Sequence, residues 1–134
     1  ALNGVDSRVN AIEGDAFDAL KALRAEQARY DVVILDPPAF IKRKKDVREG
    51  TRAYRRVNQM AMQLLARDGI LVTASCSFHL ARASLLSELH QAARHLDRNL
   101  QILEQGHQGP DHPIHPAIPE TDYLKCLIGR VTVR

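Results

Sequence analysis

Val32-Val33-Ile34-Leu35-Asp36-Pro37-Pro38-Ala39-Phe40 is the stretch that decides how this chain folds. Its first four residues form a continuous apolar run rich in β-branched side chains, suited to a strand buried on both faces of a parallel sheet. The run stops at Asp36-Pro37-Pro38, because proline has no N–H to give to a strand ladder. Further along, Ile70-Leu71-Val72-Thr73-Ala74 repeats the pattern and ends at Ser75-Cys76-Ser77. One amphipathic helix is expected between them, over about 52–66, with Tyr54, Val57, Ala61, Leu64 and Leu65 as its apolar stripe. Two strands joined by a single crossover helix are expected to pair directly, at about 4.8 Å.

The same rhythm extends outward in both directions. Arg8-Val9-Asn10-Ala11-Ile12 reads as a short strand. Asp15 then has the character of a helix N-cap, with Asp18 in the first turn, where negative charge is favoured. Phe17, Leu20 and Leu23 follow at helical spacing. Asp68-Gly69 is expected to end the crossover helix and turn the chain. A helix over about 80–96 carries Leu85, Leu86, Leu89, Ala93 and Leu96 on one face. Residues 100–104 read as a strand and 123–133 as a last one. The interval 106–120 holds four of the six prolines and reads as a long loop. Alternating strands and helices imply an α/β domain with a mainly parallel sheet, of which residues 1–134 are expected to be the C-terminal portion.

With 134 residues and 45% hydrophobic content the chain can bury a core. No apolar run approaches the roughly 20 residues that span a bilayer, and no basic-then-apolar leader opens the chain. Two cysteines make no disulfide framework, so both read as reduced thiols in the cytoplasm. The net charge of +3 is unevenly spread. Lys42, Arg43, Lys44, Lys45, Arg48, Arg52, Arg55 and Arg56 are opposed locally only by Asp46 and Glu49. Such an excess favours a polyanion such as RNA through phosphate contacts, although a solvated loop and helix face produces the same pattern.

Ligands of parallel sheets sit beyond the carboxyl ends of the strands. Asp36 and Cys76 both lie there, forty residues apart, so they are expected to flank one crevice. A carboxyl beside a thiol is a workable pair for covalent catalysis, one group orienting the substrate while the other attacks. Taken alone, Cys76 reads equally as a nucleophile and as a small packing thiol. Asp36 is either a rigidly held functional carboxyl or a turn opener. Phe40 is either a platform for a nucleobase or a core aromatic. Cys126, among Leu124, Leu127 and Ile128, reads as packing. His112 and His115 are each followed by a proline, so no helix presents both to a metal and none is assigned. No glycine-rich phosphate loop is present; Gly4 and Gly14 stand alone.

Asp36-Pro37-Pro38-Ala39-Phe40 followed by Ser75-Cys76-Ser77 resembles the ribosomal RNA large subunit methyltransferase I family, which makes 5-methylcytosine in bacterial large-subunit rRNA. Leu2-Asn3-Gly4, Gly14-Asp15-Ala16-Phe17, Tyr54-Arg55-Arg56-Val57-Asn58, Asp111-His112-Pro113 and Tyr123-Leu124-Lys125 fall in family-like order, so the resemblance covers essentially the whole chain. The D-P-P-x-F motif is shared by several base methyltransferases. The cysteine of S-C-S sets this group apart from a sister group acting on guanine.

The resemblance implies a Rossmann-like class I methyltransferase fold with a reversed last strand, of which this chain would hold the third to seventh strands. It implies S-adenosylmethionine as cofactor, with Asp15, Ala16 and Asp36 beside it. Cys76 and Asp36 would be catalytic. Pro37, Pro38 and Phe40 would meet the target base, while Lys42, Arg43, Lys44 and Lys45 would hold the backbone of ribosomal RNA. The first two strands, the glycine-rich cofactor loop and an RNA-binding domain would precede Ala1. The chain alone is then expected to bind cofactor poorly, to be inactive, and to self-associate as a homodimer along its bare sheet edge. Two other readings stand beside this one: methylation of another base atom with Cys76 structural, or a non-catalytic domain that binds RNA or a protein.

Overall fold

The computed structural model describes residues 3–133; Leu2 of the Leu2-Asn3-Gly4 motif lies outside the described residues. The order is α1 (Ala16–Ala25), β1 (Tyr30–Leu35), α2 (Val47–Gln63), β2 (Leu65–Ser75), α3 (Arg82–His95), β3 (Arg98–Gly106) and β4 (Lys125–Val133). The four strands form one sheet in the order β1-β2-β4-β3. β1 and β2 are parallel, as the single crossover predicts, with Val33 opposite Leu71 and Leu35 opposite Thr73. β4 runs antiparallel to both β2 and β3. The expected parallel sheet with a reversed last strand is therefore present.

Side-chain alternation places Leu71, Thr73 and Ser75 of β2, and Lys125, Leu127 and Val131 of β4, on one buried face. Against it pack Tyr54, Val57, Ala61 and Met62 of α2 and Leu85, Leu89, Ala92 and Ala93 of α3, all essentially excluded from solvent. The opposite face differs from the sequence expectation. The run 32–35 was expected to be buried on both sides, yet Val32 is 52% and Ile34 72% exposed. α2 packs on β1 and β2, α3 on β3, and α1 on α2. No helix among the described residues covers the side that Val32 and Ile34 face.

Two more expectations are corrected. The proposed strand at 8–12 is absent: Asp6–Arg8 is a single 3-10 turn, and residues 9–13 are unpaired, with Val9 and Ile12 exposed. A strand exists only through a neighbour's N–H and C=O groups, and the described chain offers none there. The crossover helix starts earlier and ends earlier than expected. Leu64 closes it, and Leu65 already pairs with Tyr30. Residues 66–69 then bulge out before Ile70 meets Val32, and Asp68 adopts φ 59° within that bulge. The turn at Asp68-Gly69 is real, but it interrupts a strand rather than ending a helix.

α1 begins as its sequence predicts. Asp15 has extended backbone, and its Oδ1 accepts hydrogen bonds from the N–H groups of Phe17 (2.9 Å) and Asp18 (3.2 Å). Asp15→Ala is expected to cost about 1 kcal/mol, read as a lowered urea midpoint at unchanged slope.

Candidate active site

The carboxyl end of β1 and the amino end of α1 enclose a cavity of about 470 Å³. Gly14, Asp15, Ala16 and Phe17 line one side, and Leu35, Asp36, Pro37, Pro38 and Phe40 the other. Six residues singled out from sequence thus come together in one space: Asp15, Ala16, Asp36, Pro37, Pro38 and Phe40. Its size is that of a small-molecule site. Mostly apolar walls with two carboxyl groups at hand suit a flat heterocycle carrying polar edges.

Phe40 lies between the two readings given to it. Its ring is partly buried against the core and meets Tyr54 edge-on, with centroids 4.8 Å apart and planes at 65°. Phe17 approaches it at 6.3 Å, and the Arg56 guanidinium lies 5.1 Å from the centre of the Phe17 ring. Phe40 is a packed aromatic that still presents surface to the cavity.

Cys76 is the first residue beyond β2, half-buried, and is not part of the cavity wall. The turn that carries it is held by buried polar contacts centred on Ser77, which is 1% exposed. The Ser77 hydroxyl accepts from the Ile41 N–H at 3.2 Å and pairs with the Tyr54 hydroxyl at 2.8 Å. The Ser77 N–H donates to the Ser75 hydroxyl at 3.2 Å, and the Ser77 carbonyl accepts from Lys125 Nζ at 2.6 Å. Ser77 therefore ties the S-C-S turn to three elements: the segment after D-P-P-x-F, helix α2 and strand β4. Burial pushes the Cys126 thiol up from its usual range, and Asp36 adds to that push. Burial lowers the Lys125 ammonium; Asp122 opposes this, Arg82 reinforces it, and Cys76 opposes it.

The basic residues Lys42, Arg43, Lys44 and Lys45 are all exposed on the loop between Phe40 and α2. Arg43 pairs with Asp46 at 3.1 Å. On α2, Arg55 is engaged by Glu88 of α3. Reading residues one at a time missed the roles of Tyr54, Ser77 and Lys125. The available signals were a hydroxyl within an apolar helical stripe and a lysine opening an apolar strand.

A parallel pair carrying Asp36 and Cys76 at its carboxyl ends, with a reversed last strand, matches a Rossmann-like methyltransferase fold, and solved structures agree. The chain superposes on SMU.776 complexed with SAH at TM-score 0.73, with 19% identity over 87% of this chain and 30% of that one. It also superposes on a methyltransferase homolog protein from Pyrococcus horikoshii at TM-score 0.58, with 19% identity over 84% and 42% of the two chains. The chain belongs to the RNA cap guanine-N2 methyltransferase family, whose model matches residues 1–110.

The resemblance drawn from the motifs is borne out as well. Ribosomal RNA large subunit methyltransferase I of Shewanella denitrificans is 42% identical over 132 residues, which is 98% of this chain and 33% of the relative. The proteins of the same name from Aeromonas salmonicida and Erwinia tasmaniensis are 40% and 38% identical, over 96% and 97% of this chain and 33% of each relative. The chain spans about a third of the length of the curated relatives it matches. Among the described residues, no helix is long and apolar enough to cross a membrane.

Proposed function

We propose that this chain carries the target-base half of an enzyme that methylates carbon 5 of a cytosine in large-subunit ribosomal RNA, using S-adenosylmethionine and a covalent adduct through Cys76. The observation that carries the proposal is the placement of Cys76. It stands just past the end of β2, which pairs with the strand that Asp36 follows, on a turn fixed by buried hydrogen bonds. A thiol that only packs needs no such support.

The chemistry explains why a cysteine is used. Carbon 5 of cytosine is a poor nucleophile. Attack of the Cys76 thiolate on carbon 6 forms a C–S bond and moves electron density to carbon 5, which then accepts a methyl group. Loss of the carbon 5 proton to a base and cleavage of the C–S bond restore the aromatic ring and the thiolate. Asp36 hydrogen-bonds the ring nitrogen that gains negative character. The Pro37 carbonyl accepts from the exocyclic amine, and Pro38 and Phe40 border the base. To reach such a site the base must leave its stack. Exposed Lys42, Arg43, Lys44 and Lys45 hold phosphates nearby.

S-adenosylmethionine supplies an electrophilic methyl group when bound. The cavity beside Asp15 and Ala16 fits its adenine, with the free oxygen of the Asp15 carboxyl available to a polar edge. Tight binding requires more than these residues, because the sequence has no glycine-rich loop and the relatives are about three times as long. The chain alone is accordingly proposed to be inactive, and the open edge of β1 to be a route to pairing of two copies.

The family model's own description favours a second reading, methylation of the guanine exocyclic amine, in which Cys76 only packs. Product analysis separates the two. The chain joined to the remaining two-thirds of its relatives, given cofactor and ribosomal RNA, is expected to yield 5-methylcytosine. RNA containing 5-fluorocytosine is expected to trap a denaturation-resistant adduct, since fluorine blocks the final elimination. N2-methylguanine without an adduct would establish the second reading.

A further inference from the structure

We propose that Lys125 is a positioning residue for Cys76: a buried amine that pins the S-C-S turn and presents positive charge to the thiolate. The inference rests on the reading of Cys76 as the nucleophile, and none of the steps above uses Lys125.

Lys125 opens β4 directly opposite Ser75, with its side chain on the helix-covered face of the sheet. The residue is only 6% exposed. Burying an ammonium is costly unless an opposite charge or several hydrogen bonds replace its water. Here Nζ has one short hydrogen bond, 2.6 Å to the Ser77 carbonyl, the residue next to Cys76. No carboxylate of the described residues forms a salt bridge with it. The charges that bear on it come from each surrounding element. Asp122 lies just before β4, Arg82 in the first turn of α3, and Cys76 on the turn after β2.

A lysine at this place is poorly explained by packing, since methionine would fill the space without desolvating a charge. It is explained by Cys76, which attacks as an anion and has the cation behind its own turn. The two functions of the side chain reinforce one another. The bond to Ser77 fixes where the sulfur points, and the ammonium sets positive charge behind the turn that carries it.

Alkylation of the full chain tests this without RNA or cofactor. Neutral iodoacetamide and anionic iodoacetate are compared at one pH, and each cysteine is read by peptide mass. The ratio of the two rates cancels the thiolate fraction and reports local positive charge. Cys126 is the internal reference: it faces the other side of the sheet, and the groups bearing on it are Asp36, Arg82 and Glu104. The iodoacetate preference is expected to be higher at Cys76 than at Cys126 in the unmodified chain. Lys125→Met should lower it at Cys76 by roughly fivefold, and Lys125→Arg should restore it.

Equal preferences at the two cysteines of the unmodified chain overturn the proposal, even if Lys125→Met fails to fold. A folded Lys125→Met chain with an unchanged ratio, or with parallel changes at both cysteines, does so too. Failure of the Cys76 reading is seen separately, as a missing 5-fluorocytosine adduct while the alkylation ratio still depends on Lys125.

Discussion

Cys76→Ala is expected to lower methyl transfer by roughly three orders of magnitude or more and to abolish the 5-fluorocytosine adduct. The size follows from the chemistry. Without addition at carbon 6, carbon 5 lacks the electron density to take a methyl group, and no neighbouring side chain replaces the thiol. Cys126 cannot stand in, because it lies within β4 opposite Ala74, and burial and Asp36 both disfavour its thiolate. Stability should hardly change. Cys76 is half-buried at the end of its strand and absent from the hydrophobic core, so the melting temperature of Cys76→Ala should stay within a few degrees of the parent. The decisive measurement is methyl incorporation into ribosomal RNA by the variant, alongside its thermal melt. Activity within tenfold of the parent would identify Cys76 as a packing residue and transfer the chemistry to another base atom.

How much of this site could be read from the chain depends on whether each feature is local. Val32–Leu35 and Ile70–Ala74 identify themselves by composition, and Asp36 and Cys76 follow because they stand where those runs stop. The Asp15 cap is equally local, a side chain two and three residues from its donors. Failures arose where a partner was needed. Residues 8–12 have strand character but no neighbour among the described residues. Ile34 has core character but no helix over it. Leu65 fits the helical stripe, yet it pairs with Tyr30 because β2 begins before its own bulge. The Ser77 contacts were invisible for the same reason. They join positions separated in sequence by 36, 23 and 48 residues, and only the register that sets Ser75 opposite Lys125 brings them together.

The same dependence on distant contacts sets the second large effect, at Gly50. In an isolated helix Gly→Ala would add up to about 1 kcal/mol of stability. In α2 the opposite is expected, a loss of about 2–3 kcal/mol. A Cβ at position 50 would sit 2.8 Å from the Phe40 carbonyl oxygen and would overlap the Ile41 side chain. Ile41 is 2% exposed and Gly50 is itself buried, so neither has room to yield by moving into solvent. Relief must come from lifting the 40–41 backbone off α2. That backbone carries the Ile41 N–H bonded to the Ser77 hydroxyl, and it continues from the Asp36-Pro37-Pro38 turn. Gly50→Ala should therefore lower the melting temperature and, where the protein remains folded, slow adduct formation more than it weakens RNA binding. Thermal melts and adduct rates at saturating RNA read the two consequences independently. A Gly50→Ala chain as stable as the parent would mean that the 40–41 segment is not seated on α2, and that the D-P-P-x-F loop and the S-C-S turn are not held together as the Ser77 contacts require.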